Sequence, residues 1–516
     1  METKEVEEFL KITQAYIRHL ELQNMNVISD RFSYDFENLS SINFKNSLLE
    51  NEILQQLAQN CKQLVSLQLE CCINSKRECL QIDNDIDICI FSHMKKLNDL
   101  YIEESYDVKM AYRTFRQLYK ILKLKSMTIK SAIHFDDHEE ENENDHAAVT
   151  IPIENLVVDR FCDEISWFKF SSNWLGRFKN LTKLFLMFDY LIINDSVLQT
   201  LAFECQQLQE LSLDKCKLTV HNFCLLPNLS ILTLNLCWDL SGPNLTDILA
   251  MKKLQTLTIL NTSCQDSIYD YVYFSHNLTT LTLETSLNQD IMPALSNSQN
   301  RFENVSSLIW HQVNSMSANY SMTRLQHISY IYPNLMELLL ERQYIALEDL
   351  RRLTSLSVFK FYFFDSMSWN YLEMLLKLPY LTHLTIGLSA KIYCDLSQLS
   401  VVKRENGLGL TTNLEYLKIP LIVFGVALNF WLSFLQRNLK LKLQVFTYYG
   451  VKLFQIRFFE RLMRNNAFPS NLKSIDICGI SVDCKELKAD YNTTVSKFDF
   501  KKNDQGEYYI ILKNPK

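Results

Sequence analysis

Glycine and proline are scarce, with 9 of each in 516 residues. A flexible interdomain linker is rich in such residues, and none is visible. Excess positive charge is also lacking. Lys and Arg number 52 against 59 Asp and Glu, a net charge of −7, which argues against a nonspecific polyanion binder and so against nucleic acid as a partner. No apolar run is long enough to cross a bilayer: residues 421–435 come nearest, broken by Asn429 and Ser433, where about 20 are needed, so no membrane contact is expected. The first residues, Met1-Glu2-Thr3-Lys4-Glu5, are acidic where an export signal is basic and then apolar, and a cytoplasmic or nuclear location is expected. A Gly-rich phosphate loop, a nucleophile elbow and a His-Glu-x-x-His pair are all missing. Catalysis and cofactors are therefore not expected.

What is abundant is apolar character, 47% of the chain, and it is periodic. One phrase recurs: an apolar residue, two others, an apolar residue, one other, an apolar residue. Leu64-Leu67-Leu69 ending at Cys72, Leu181-Leu184-Leu186, Leu208-Leu211-Leu213 ending at Cys216 and Leu229-Leu232-Leu234 ending at Cys237 are its clearest copies. A single match means little in so hydrophobic a chain, and the even spacing is what decides. The first place falls at Ile17, Leu39, Leu64, Leu97, Leu124, Ile153, Leu181, Leu208, Leu229, Leu254, Leu278, Val305, Leu335, Leu356, Leu381, Leu414, Leu443, Leu472 and Val495, about 19 copies.

This is the leucine-rich-repeat signature. It predicts an α/β solenoid, or horseshoe, with a parallel concave sheet and mostly helical convex returns. Within each strand the fourth and sixth places point inward and their neighbours outward. Glu52–Ala58 and Val197–Ala202 space apolar residues three and four apart and predict two of the helical returns. The array is expected over residues 17–503, with a capping helix over 1–16 and a capping strand and tail over 504–516. Residues 134–147, which include Asp136-Asp137-His138-Glu139-Glu140-Glu141, are too acidic to pack and are expected to form a disordered loop.

Two clusters invite a metal reading and fail it. Asp83-Asn84-Asp85-Ile86-Asp87 opens like a calcium loop but has Ile88 where Gly is needed and Met94 where a bidentate Glu belongs. Cys71, Cys72, Cys79 and Cys89 lack paired Cys-x-x-Cys spacing, and Cys72 already fills the ninth place of a repeat. The Asn-x-Ser/Thr triplets at Asn180, Asn228, Asn244 and Asn277 mostly open repeats and are not read as sugar acceptors.

The remaining candidate is the concave face. Early repeats place Ser66, Gln68, Glu70, Asp99, Tyr101 and Glu103 there, and later ones are more apolar. Phe185, Met187, Leu339, Val358, Tyr362, Tyr416, Val445 and Tyr449 are the expected partner-binding residues, since aromatic and apolar side chains on an open surface anchor protein partners.

The copies Leu67-Gln68-Leu69-Glu70-Cys71-Cys72 and Leu211-Ser212-Leu213-Asp214-Lys215-Cys216 resemble the cysteine-containing class of leucine-rich repeats. So does the preceding Leu-Ala-x-x-Cys-x-x-Leu at Leu57 to Leu64 and Leu201 to Leu208. That class is similar to the repeat region of F-box/leucine-rich-repeat proteins, the substrate receptors of cullin-RING ubiquitin ligases. The resemblance implies capture of a protein substrate on the concave face. A recognisable F-box is lacking, because the first repeat begins by Ile17, so a ligase adaptor is implied as a partner only if that segment lies outside this chain. The alternative is a stand-alone scaffold or inhibitor of the ribonuclease-inhibitor kind, with no link to ubiquitin.

Overall fold

The computed structural model describes residues 16–24, 36–74, 76, 78–104, 109–121, 123–134, 150–161, 175–188, 195–215, 223–237, 242–260, 277–285, 301–312, 323–325, 328–341, 343–345, 347–363, 375–376, 378–388, 413–420, 442–446, 474–480, 498–502 and 508–512. The capping helix expected over 1–16 falls almost wholly outside these residues, as does the acidic stretch beyond His134. Two compact units divide the chain, Met1–Asn277 and Leu278–Lys516.

The first unit contains strands β1 (His19–Gln23), β2 (Ser41–Lys45), β3 (Ser66–Glu70), β4 (Asp99–Glu103), β5 (Lys109–Ala111), β6 (Ser126–His134), β7 (Asn155–Phe161), β8 (Lys183–Phe188), β9 (Glu210–Asp214), β10 (Ile231–Asn235) and β11 (Thr256–Leu260). Apart from the short β5, which lies beside β6, each pairs in parallel with the next. The fourth and sixth places stay in register: Leu184, Leu211, Leu232 and Leu257 form one row, and Leu186, Leu213, Leu234 and Ile259 the next. All eight are at most 1% exposed. Parallel strands joined this way need a return of their own on the covered face. The helices Asn51–Asn60 and Asp195–Glu204 supply two of them, burying Ile53, Leu54 and Leu57 and then Val197, Leu198 and Leu201. The fold is thus a leucine-rich-repeat solenoid, as the spacing predicts.

The second unit contains β12 (Thr280–Thr285), β13 (Ser307–Gln312), β14 (Thr323–Leu325), β15 (Glu337–Glu341), β16 (Gln343–Ile345), β17 (Val358–Phe363), β18 (His383–Leu388), β19 (Tyr416–Pro420), β20 (Lys442–Phe446), β21 (Ser474–Ile480), β22 (Phe498–Lys502) and β23 (Tyr508–Leu512). β12, β13, β15 and β17 to β21 pair in parallel, each with the next, and β14 and β16 form a separate parallel pair. Two expectations change here. Leu443 is in register with Leu417, so it holds the fourth place of its repeat and not the first. Its segment alternates at period two (Leu441, Leu443, Val445), so several phases fit the sequence, and pairing with the neighbouring strands selects one. The strand expected as a last repeat, β22, pairs antiparallel with β23, which is itself antiparallel to β21, so the parallel run ends at β21.

Polar side chains tie successive repeats together. At the ninth place, Ser47 Oγ donates to Leu22 O at 3.0 Å and Lys45 O at 2.9 Å. The Cys72 thiol does the same to Phe44 O (3.4 Å) and Glu70 O (3.9 Å), and Cys237 to Leu213 O (3.8 Å) and Asn235 O (3.4 Å). Burial pushes the Cys72 thiol up to about 12, so it is a donor and not a nucleophile. Asparagines just before the first leucine form a second ladder. Asn228, Asn277, Asn334 and Asn413 donate their amides to Gln206 O, Lys252 O, Glu303 O and Pro379 O at 2.6–2.8 Å. The hydroxyls of Ser230 and Thr382 donate to Gln209 O (3.1 Å) and Ser357 O (3.0 Å).

Leu213→Asp is expected to abolish cooperative unfolding of the first unit, because a charge with no partner is forced into the leucine row. Its outward neighbour, Ser212→Asn, should stay within about 0.5 kcal/mol of wild type in denaturant unfolding followed by circular dichroism.

Candidate functional site

Each strand presents its third, fifth and seventh places on the face opposite the leucines, and these residues are partly exposed in strand after strand. In the first unit this open face begins polar and self-paired. Lys45 Nζ lies 2.8 Å from Glu70, which also accepts from Asn43 Nδ2 at 2.8 Å. Burial pushes the Glu70 carboxyl up, but the hydrogen bonds from Lys45 and Asn43 outweigh it and hold the group below its ordinary value. On β4, the Tyr101 hydroxyl donates to Glu103, and Lys130 from β6 reaches Glu103 at 3.5 Å while lying 5.3 Å over the Tyr101 ring. These pairs neutralise the charge of this stretch internally. Further along, Phe185 and Met187 stand half-buried on β8, with Val157 in register with Phe185 and Lys183 paired to Glu210 at 2.9 Å.

In the second unit Leu339, Val358, Tyr362 and Tyr416 are all half-buried on the open face. Leu339 lies between Ile309 and Lys360, and Lys360 reaches Glu337 at 2.9 Å. Val358 is flanked by Glu337 and His383, whose ring meets Tyr416 at 5.8 Å between centroids. Tyr362 is held by a close approach: its ring atoms Cδ1 and Cε1 occupy the place a Cβ on Gly387 would take. A lone glycine inside a strand marks such an approach and was the one sequence signal for it. Val445 is in register with Ile419 on β19, two residues from Leu443, and its side chain lies outside those described. Tyr449 lies outside the described residues.

The sequence did not disclose a row of ionisable groups at the seventh place. Glu284 and His311 are in register, and Glu341 follows Leu340, the partner of Trp310. His311 Nδ1 lies 2.9 Å from Glu341 Oε2, and the hydrogen bond and charge of Glu341, with the charge of Glu284, raise the imidazole above its ordinary value.

The metal-like clusters have structural work. Asp83 accepts from the Ala111 amide at 2.6 Å, Asp85 from the Gln81 amide at 2.8 Å, and Asp87 from the Cys89 amide at 3.0 Å. The buried Glu104 accepts from the Ile82 amide at 3.0 Å and from Ser131. Asp85, Asp87 and Glu104 thus satisfy backbone donors of the irregular stretch after β3, and Asp83 ties that stretch to β5. Among the described residues, no three His, Cys, Asp or Glu side chains are grouped to hold a metal ion.

No protein-family profile matches the sequence, and no curated protein does. Among solved structures, the chain is similar to a leucine-rich-repeat protein of Leptospira interrogans at 14% identity and TM-score 0.41, covering 75% of this chain and 98% of that one. It is also similar to an internalin of Listeria monocytogenes at 13% identity and TM-score 0.35, covering 71% and 88%. The fold assignment stands on this chain's own register and burial.

His311 gives a signed pH dependence. Its folded value is raised, so its contribution to stability is fully present below the unfolded value near 6.5 and is lost as pH rises through the folded value. With side chains about one-third exposed the effect stays below about 1 kcal/mol. Unfolding midpoints should fall between pH 6 and pH 9 more in wild type than in His311→Gln, and Glu341→Gln should lower the imidazole titration seen by NMR. Gly387→Ala is expected to displace Tyr362 and cost about 1–3 kcal/mol. Tyr362→Ala should recover most of that loss in a double-mutant cycle.

Proposed function

We propose that this chain is a non-catalytic protein-binding scaffold that captures a partner on the open face of its strands. One observation carries the reading: Phe185, Met187, Leu339, Val358, Tyr362 and Tyr416 are half-buried, aromatic or apolar, and set among ion pairs on a sheet whose other face is sealed by core. Such residues anchor interfaces because they bury large apolar area at small entropic cost, with surrounding polar pairs as a rim. In its finer form, the proposal is the substrate-recognition part of an F-box/leucine-rich-repeat-type receptor. The support is the recurrence of cysteine at the ninth place and three before the first leucine, where Cys72, Cys237 and Cys205 donate to backbone carbonyls. Action in the cytoplasm or nucleus belongs to the same proposal, since these thiols serve in their reduced form.

Affinity capture on the full chain, with crosslinking mass spectrometry, tests it. The expected result is a stoichiometric protein crosslinked near Lys183 or Lys360, with recovery falling in Phe185→Ala and Tyr362→Ala. Crosslinks confined to the helical returns would overturn the open-face reading. The adaptor and a cullin in the eluate are the result expected of the ligase form, and their absence from a complex with another partner overturns that form alone.

A further inference from the structure

The return helix Tyr112–Ile121, between β5 and β6, differs in charge from the two described above. It carries Arg113, Arg116 and Lys120 and no acid, whereas Asn51–Asn60 and Asp195–Glu204 carry acids and no cation. Phe115, Leu118 and Tyr119 face the core, at most 2% exposed, and the three cations, spaced three and four apart, share the outer stripe. The Tyr119 ring meets Phe178, in the return before β8, at 6.0 Å, which brings Arg177 to the same surface. Burial, first, and then the charges of Arg116 and Arg177 push the Lys120 ammonium below its ordinary value.

Between these two returns in strand order comes the connection from β6 to β7, residues 135–154. Within it, residues 136–145 hold seven acids in ten places and neither Lys nor Arg. The described flanks of this stretch abut the cations. His134, the last residue of β6, is in register with Ala111, the residue before the helix, and Ile151 N donates to Arg177 O at 2.9 Å. The contact of Tyr119 with Phe178 already spans the buried layer between the two returns, which leaves the acidic stretch the outer side, where the cation stripe lies. Asp83, the acid at the start of the helix, is engaged with the Ala111 amide.

We propose that residues 136–145 dock on Arg113, Arg116, Lys120 and Arg177 and so keep this basic surface from foreign polyanions. The surface lies on the side of the returns, and the docking is independent of the open-face reading. Both ends of the stretch are tied beside the cations, so it reaches them at a high effective concentration and outcompetes a free acidic chain of equal intrinsic affinity. Three forked guanidiniums and one ammonium give an acid-rich segment several ways to pair, without a single fixed geometry. Docking also relieves the crowding of Arg116, Lys120 and Arg177, a gain that a neutral segment does not bring.

Zero-length carbodiimide crosslinking of the full chain, read by mass spectrometry, tests the docking without any substitution. Lys120 should be joined to carboxylates of residues 136–145, with the link from Lys45 to Glu70, which lie 2.8 Å apart, reporting that the reaction worked. Salt at about 0.5 M should weaken the Lys120 link about threefold or more. Heparin is the second probe. Replacing the seven acids by Asn or Gln should raise affinity for it about tenfold or more, and adding Arg116→Gln and Lys120→Gln should cancel the gain, whereas adding Lys252→Gln and Lys253→Gln should not. Links from the stretch to open-face lysines, or a Lys45 link with none at Lys120, would overturn the proposal. Heparin binding indifferent to Arg116 and Lys120 would do the same, and either result leaves the open-face reading standing.

Discussion

Each repeat of this protein buries its inward side chains almost entirely against the repeats beside it, and that mutual dependence governs the rest of the structure. A strand of five residues with two inward leucines has no core of its own. Alignment with a neighbour converts it into one course of a continuous apolar wall, where Leu211 and Leu213 are sealed at 0% exposure by Leu184, Leu186, Leu232 and Leu234. Register is consequently not negotiable, since a slip of one residue exchanges the buried and exposed sets. Position along the sequence is translated directly into which face a residue occupies.

Stacking also creates a polar problem, because the turns between strand and return leave backbone carbonyls inside the array. The chain answers with short side chains at fixed places. Serine and cysteine are interchangeable at the ninth place, as Ser47 and Cys72 show by making the same two contacts. In the repeat that opens at Leu229, asparagine just before this first leucine and serine just after it satisfy two further carbonyls. Cys72, Cys205 and Cys237 and the amides of Asn228 and Asn277 thus act as hydrogen-bond donors to the backbone of a neighbouring repeat.

Freedom from core duty is what makes the opposite face informative. Its charges are arranged against one another across strands, as in Lys45 with Glu70, His311 with Glu341 and Lys360 with Glu337. That leaves little net field and keeps the edges of each apolar island polar. The exceptions are the stretches where aromatic or aliphatic side chains outnumber charge pairs, as around Phe185 and Met187.

Periodicity alone carried the leucine rows, the helices Asn51–Asn60 and Asp195–Glu204 and the half-buried placement of Phe185, Met187, Leu339, Val358, Tyr362 and Tyr416, because a fixed spacing implies a fixed orientation once strands stack. It failed where the pattern was ambiguous or ended. Leu443 lies in a segment alternating at period two, whose register β19 and β21 select, and β22 matches the phrase yet pairs antiparallel with a strand that closes back on β21. Nor did spacing disclose that Tyr362 lies against Gly387 or that His311 sits between two glutamates. Each of these juxtaposes residues roughly 20 to 30 apart, and return lengths that vary from repeat to repeat conceal which ones become lateral neighbours. The sequence thus determined which residues face inward and which face outward; only the assembled sheet decided who stands beside whom, because lateral contacts are set by strand register and not by distance along the chain.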